Sequence, residues 1–402
     1  MKRSIALLLI YFSSIFFLSA QTGKISGVVL NGEDGTPLSA ASVFINNSSK
    51  GTTTDSSGKF SLPILKGRSF DLVVTYAGFN TASVIITTSN ISDFQTIKIY
   101  PKNENLEEVS ILVPEKNGWA KWGKFFTEVF IGKSEFATQC LLKNPKALRF
   151  YNDKNSNKLV ATAREPLIIE NEALGYLVKF QLEKFEYDFS KRIALYTGYS
   201  FFDDLGKSTV RKRRKWRYNR REAFNGSVMQ FFRSVYDNTI LKAGFEVHEK
   251  VRIAKADPQF AELYKRDPTQ DKITLNGNVF YIRIPKFPEY KKLPDYLDLV
   301  NLNVADFSKL LKTEKGNTSK TLQFDNLLDV TYHNALAKYD YLLEMGYTKD
   351  VNLLQHSDIK LLHENYVKIE KDGSYYDPVN ILTSGYWAWC KVAEALPFDY
   401  DE

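Results

Sequence analysis

Four histidines, a few acids and one dense run of cations are the residues best placed for chemistry in this 402-residue chain. A catalytic zinc takes about three protein ligands, mostly His with a carboxylate, and leaves a position for water. The histidines are His248, His333, His356 and His363, and the third residue after each is Val251, Leu336, Ile359 and Tyr366. None begins an His-x-x-Glu pair and HExxH is absent, so zinc-hydrolase chemistry is not expected. His356 and His363, seven apart, would share a face on a helix, but one pair is not a metal site. There is no Gly-x-Ser-x-Gly elbow. Gly226-Ser227 falls in a segment that reads as amphipathic helix, where small residues allow close packing. Glycoside hydrolysis needs two carboxylates facing across a cleft. Glu170, Glu172, Asp203 and Asp204 are candidates, although loop and strand-end acids are ordinarily just solvated. No phosphate loop is present, and no residue pattern calls for a cofactor.

The sharpest feature is cationic. Arg211, Lys212, Arg213, Arg214, Lys215, Arg217, Arg220 and Arg221 stand together with no acid, interleaved with Trp216 and Tyr218. In a cytoplasmic chain such a patch would point to nucleic acid. As a solvated loop and first helical turn it is unremarkable except in its density. In an exported chain it suits polyanions, either lipid headgroups or glycans, at about 1 kcal/mol per Lys or Arg near a charged membrane.

Export is the expectation from residues 1–20. Lys2 and Arg3 precede an apolar run from Ile5 to Leu18, and Ser19-Ala20 supplies small residues before Gln21. The run is short for a membrane span, which needs about 20 residues. No Cys follows it, and no later stretch is long and apolar enough to span as a helix. The formal charge is +7, or +5 without Lys2 and Arg3, so outside the basic run the mature chain is about −3 and its basicity is local. Export argues against nucleic acid as a partner. It permits a disulfide between Cys140 and Cys390, but two buried free thiols are the favoured expectation.

Residues 21–101 read as short strands between turns. Ala41 to Ile45 is a strand, Asp55-Ser56-Ser57-Gly58 a tight turn, and Phe70, Leu72, Val74 and Tyr76 alternate at period two. That spacing argues an all-β sandwich, able to fold alone. Residues 102–118 read as a polar linker broken by Pro114 and Gly118. A larger α+β domain with antiparallel sheet is expected over 119–402. Trp119 to Leu142 reads as helix. Leu148 to Tyr151 and Leu159 to Ala163 read as a hairpin. Val178 to Phe189 reads as a strand whose phase shift hints at a bulge, followed by another over Ile193 to Phe202. Phe224, Val228, Phe231, Phe232 and Val235 form one helical stripe, and Asn276-Gly277 marks a hairpin. Tyr386 to Leu396 reads as a short helix ended by Pro397.

The front segment carries a resemblance. Gly27…Gly35-Thr36-Pro37-Leu38…Val43, Gly51-Thr52…Thr54-Asp55…Gly58-Lys59-Phe60 and Tyr76…Gly78-Phe79 resemble the carboxypeptidase regulatory-like domain. The resemblance implies a transthyretin-like or Ig-like β-sandwich of the kind found at the front of exported Bacteroidota proteins, with no peptidase activity of its own. Asn105-Leu106-Glu107-Glu108-Val109 resembles the joint to the plug of TonB-dependent receptors. The remaining chain is too short for a plug and a 22-stranded barrel. In the second domain, Arg164-Glu165-Pro166-Leu167, Leu174-Gly175-Tyr176, Asn225-Gly226-Ser227 and Gly385-Tyr386-Trp387 resemble segments of uncharacterised envelope proteins; Gln230 stands where those have His.

These features favour a non-catalytic binding or scaffold protein of the cell envelope, periplasmic or associated with the outer membrane. Its partner would be an anionic lipid or glycan surface, or another envelope protein. The alternative is a hydrolase of envelope glycan or peptide, with a site assembled only in three dimensions. A deep cleft lined by paired acids or His would favour the hydrolase, and a basic or aromatic face the binding protein.

Overall fold

Period-two alternation at the front of the chain builds two facing sheets. Ile25, Val29, Val43, Phe60, Leu62, Leu72 and Val74 fill the space between them. One sheet runs Lys59–Leu65, Thr22–Asn31, Gln95–Ile99 and the other Gly51–Thr53, Ser42–Ile45, Phe70–Thr75, Ala82–Ile86. Thr22–Asn31 pairs antiparallel with Lys59–Leu65 and parallel with Gln95–Ile99. The turn at Asp55 closes as its sequence predicts: Asp55 Oδ1 accepts from Ser57 N and Lys59 N at 2.8 and 2.9 Å. Gly58 there takes φ 71°, and a Cβ on it would stand 2.7 Å from Val29 O.

This computed structural model describes residues 22–65, 69–87, 90–91, 94–102, 113–266, 272–275, 277–283, 294–313, 318–347 and 351–401. The leader expected at 1–20 and most of the linker expected at 102–118 lie outside them. The larger domain that follows has antiparallel sheets and few helices. Its first sheet runs Cys140–Leu142, Leu167–Asn171, Tyr176–Asp188, Lys158–Ala163, Leu148–Asp153, with Ile193–Asp204 along the other edge of Tyr176–Asp188. The expected bulge is present between Leu182 and Lys184. Helix α1, Gly118–Phe130, lays Phe126 and Phe130 against Phe150, Phe180 and Phe185. The helix expected through Leu142 stops there: the chain turns at Gly132, and Ser134 Oγ accepts from Ala137 N (3.2 Å) ahead of the 3-10 turn Ala137–Gln139.

A second sheet runs Lys272–Leu275, Asn278–Arg283, Tyr296–Val304, Phe245–Ala254, Leu327–Leu336, Leu354–Leu361, Ile381–Gly385, antiparallel throughout. A small sheet of Leu311–Thr313, Lys320–Gln323, Tyr366–Ile369 and Tyr375–Tyr376 stands beside it.

Three expectations need correction. The basic run is not a loop but helix α2, Val210–Phe224, started by Thr209, whose side chain accepts from Lys212 N. The stripe from Phe224 to Val235 is not one helix: α2 ends, and α3, Val228–Tyr236, starts at Ser227. Ser227 Oγ accepts from Gln230 N (3.1 Å) while Gln230 Oε1 accepts from Gly226 N (2.7 Å), a reciprocal cap that separates the two. The C-terminal helix is a single turn, Tyr386–Trp389, followed by a 3-10 turn, Val392–Glu394. Cys140 and Cys390 are both free thiols.

The sandwich is docked on the larger domain. Asn47 N donates to Ser200 O (2.8 Å), Phe202 N to Ser48 O (3.0 Å) and Phe398 N to Asn47 O (2.7 Å). Phe44 packs on Phe201 with centroids 5.5 Å apart.

Candidate functional site

The inner face of α2 is spent on the fold. Residues 171–175 make a turn whose carbonyls point at the helix. Trp216 Nε1 donates to Glu172 O (2.9 Å), Asn219 Nδ2 to Ala173 O (2.7 Å) and Arg220 Nε to Leu174 O (2.7 Å). Arg220 also bonds Asp204 Oδ1 at 2.7 Å and lies 3.8 Å over the Tyr176 ring. Lys212 reaches Glu172 (3.0 Å), and Lys215 donates to Gln139 Oε1 (2.9 Å). Arg213 donates to Ser208 O. Trp216 is 6% exposed, so it is not a surface aromatic waiting for a headgroup, as the run suggested. Helical periodicity turns it inward with Asn219 and Ala223.

The outer face is different. Arg211, Arg214, Arg217, Arg221 and Tyr218 are exposed. Among the described residues, none of these four arginines has an acid within ion-pair distance. The pairs Arg211–Arg214 and Arg217–Arg221 place like charges three and four residues apart, which opposes helix formation. The first turn adds cations at the positive end of the helix dipole and holds no acid. An anion brought to this face relieves both repulsions.

The second concentration of charge was not foreseen. The seven-stranded sheet turns its apolar face to the core through Val247, Leu328, Val330 and Ile359. On the opposite face Lys250, 1% exposed, extends from the central strand. Its Nζ donates to Asp329 Oδ1 (3.0 Å) and to Asp358 Oδ1, and lies 3.4 Å from Asp298 Oδ2. Arg252 grips Asp298 with Nε and Nη2 at 2.8 and 2.9 Å and touches Asp358 at 3.3 Å. Arg283 Nη1 bonds Asp329 at 2.9 Å and lies 3.0 Å from His356 Nε2, which is itself 2.7 Å from Asp329 Oδ1. Burial alone would raise the Asp329 carboxyl, but His356, Lys250 and Arg283 hold it well below the usual range. Burial would likewise lower Lys250, and Asp358, Asp329 and Asp298 more than offset it.

Asp329, His356 and Asp358 have ligand atoms within 4.8 Å of one another. The ammonium of Lys250 already bonds both carboxylates, so the place a cation would take is filled by a side chain. Three carboxylates meet three fixed cations, a neutral balance that suits a structural ion network. His356 is on a strand and His363 in the bend beyond it, so the two share no helix face. Among the described residues no hydroxyl or thiol hydrogen-bonds His356; Ser384 Oγ donates instead to Asp358 (2.9 Å). The four acids singled out from sequence are each paired with a cation: Glu170 with Lys143, Glu172 with Lys212, Asp203 with Lys179, Asp204 with Arg220. A signal for the network did exist. Asp298 and Asp329 are lone acids inside apolar strand runs, Tyr-Leu-Asp-Leu-Val and Leu-Leu-Asp-Val, where an unpaired charge is not tolerated.

Residues 25–111 match the family described as CarboxypepD_reg-like domain, in keeping with the front sandwich. No curated protein matches the chain.

Proposed function

We propose that the protein is an exported, non-catalytic component of the cell envelope that docks on an anionic surface, lipid headgroup or glycan, through the outer face of α2. The carrying observation is the row Arg211, Arg214, Arg217, Arg221, exposed and without an acid partner among the described residues, on a helix whose inner face is bonded to the fold through Trp216, Asn219 and Arg220. The sandwich serves as a fixed spacer, since backbone bonds tie it to the larger domain. Counter-charge from outside favours the helix, and binding of this kind weakens as salt screens it over about 8 Å at physiological ionic strength.

The test is retention on vesicles containing phosphatidylglycerol and on immobilised lipopolysaccharide, for the wild type and for the triple variant Arg211→Ser, Arg214→Ser, Arg217→Ser. Wild type is retained at low salt and released at high salt, and the variant elutes early with the same melting temperature. Equal retention of the two would defeat the proposal. The hydrolase reading rests on the Asp329–His356 pair, whose imidazole is partly exposed. Among the described residues it lacks a nucleophile partner, and it ranks second; loss of peptidoglycan or peptide hydrolysis in His356→Ala would promote it.

A further inference from the structure

A cavity of about 290 Å³ lies where the sandwich meets the larger domain. Ile45, Ile64 and Phe70 wall it from the sandwich, and Tyr375, Tyr376 and Phe398 from the larger domain. Its walls are pinned by the backbone bonds of Asn47 and Ser48 to Ser200 and Phe202, by that of Phe398 to Asn47, and by Ser49 N donating to Asp399 Oδ1 (2.8 Å). Protein interiors rarely hold spaces much larger than a water, and preformed apolar spaces at domain joints with a few placed polar groups are where small ligands bind.

Of the charged groups in the wall, Lys50 pairs with Asp399 (3.7 Å) and Asp372 accepts from Ser374 N (3.0 Å), which leaves Asp71 and Tyr376 as the polar groups a ligand can address. Asp71 comes from the sandwich, and burial pushes its carboxyl up, with the Asn46 side chain opposing. Tyr376 comes from the larger domain. Its Oη is buried with no hydrogen-bond partner among the described residues, and it feels the charge of Asp71 and the nearby Ser69 side chain. A ligand hydroxyl can donate to Asp71 and accept from Tyr376, giving the phenol the partner it lacks. A ligand carrying full charge would have to leave it in a largely apolar space.

We propose that this joint binds a small, neutral, mostly apolar molecule bearing a hydroxyl, held between Asp71 and Tyr376. It does not depend on the anionic-surface reading, because α2 contributes nothing to the walls. Since both bodies supply walls, the bound molecule also strengthens their docking.

The probes are 2-naphthol and, as its counterpart without the hydroxyl, naphthalene, titrated against the full chain by fluorescence and thermal melting. One 2-naphthol binds per chain and raises the melting temperature; naphthalene binds at least about tenfold more weakly, a factor worth about one good hydrogen bond. Tyr376→Phe removes most of that preference and leaves naphthalene unchanged. Ile45→Trp, whose indole fills the space, abolishes binding of both, its fold verified by the melt; Asp71→Asn, which keeps the shape, is the second variant should Ile45→Trp not fold, and it also narrows the preference. Absence of saturable binding, or equal binding of 2-naphthol by wild type, Tyr376→Phe and Asp71→Asn, would overturn the proposal.

Discussion

The polar face around Lys250 and the outer face of α2 both gather cations, and they differ in what answers them. At Lys250 every cation has a carboxylate: Asp298, Asp329 and Asp358 meet Lys250, Arg252 and Arg283 across five neighbouring strands. On α2, Lys212 and Arg220 have acids, whereas Arg211, Arg214, Arg217 and Arg221 have none among the described residues. Charge removed from water must be matched or the fold fails. Charge left in water need not be, and an unmatched row there is free to meet a partner. One region therefore reads as stability, and the other is where the proposed recognition would act.

The largest expected effect comes from unbalancing the matched region. Lys250→Met leaves three buried carboxylates with two cations, and urea unfolding should show a loss of about 3–5 kcal/mol. A loss below 1 kcal/mol would mean the network is not a structural unit. The same region sets an acid limit. Asp329 ionises below its unfolded value of 3.8, so its contribution is complete above about pH 4 and fades as the pH falls through the lower native value. Lys250, raised from 10.5, keeps its contribution below that and loses it only as the pH rises beyond. The wild type should thus hold its urea midpoint from about pH 5 to 9 and lose it steeply on acidification; a midpoint that rises below pH 4 would contradict the pairing.

A smaller effect tests the inner face of α2. Gly175 takes φ 74°, and a Cβ on it would meet the Trp216 ring at 2.2 Å. Gly175→Ala should cost about 2 kcal/mol through backbone strain and overpacking, read as a fall in melting temperature. The smallest effect on stability belongs to the outer face. The triple Arg→Ser variant should melt with the wild type, because exposed substitutions move stability by less than about 0.5 kcal/mol each, while its retention on anionic vesicles falls. Trp216 should add a sharper contrast. Being buried already, its contribution, isolated by comparison with Trp216→Phe, should not shift when vesicles are added. A blue shift would mean that α2 leaves the turn at residues 171–175.

The sequence by itself determined whatever depends on neighbours along the chain. The sandwich follows from alternation and from turn chemistry at Asp55 and Gly58, the hairpin Leu148–Asp153 with Lys158–Ala163 from its polar loop, and the bulge after Leu182 from a change of phase. Tertiary structure decided the rest, because the deciding contacts are remote. The run from Arg211 becomes helix since the carbonyls of residues 172–174, some forty positions earlier, accept from Trp216, Asn219 and Arg220. The split between α2 and α3 is local, carried by Ser227 and Gln230, and was open to reading as a cap. The Lys250 network joins residues up to 108 apart, and its members become neighbours only once antiparallel pairing sets Asp329 opposite Asp358 and Arg252 opposite Asp298. Strand register, which no single strand encodes, puts those charges on one face, and the burial that follows makes their matching obligatory.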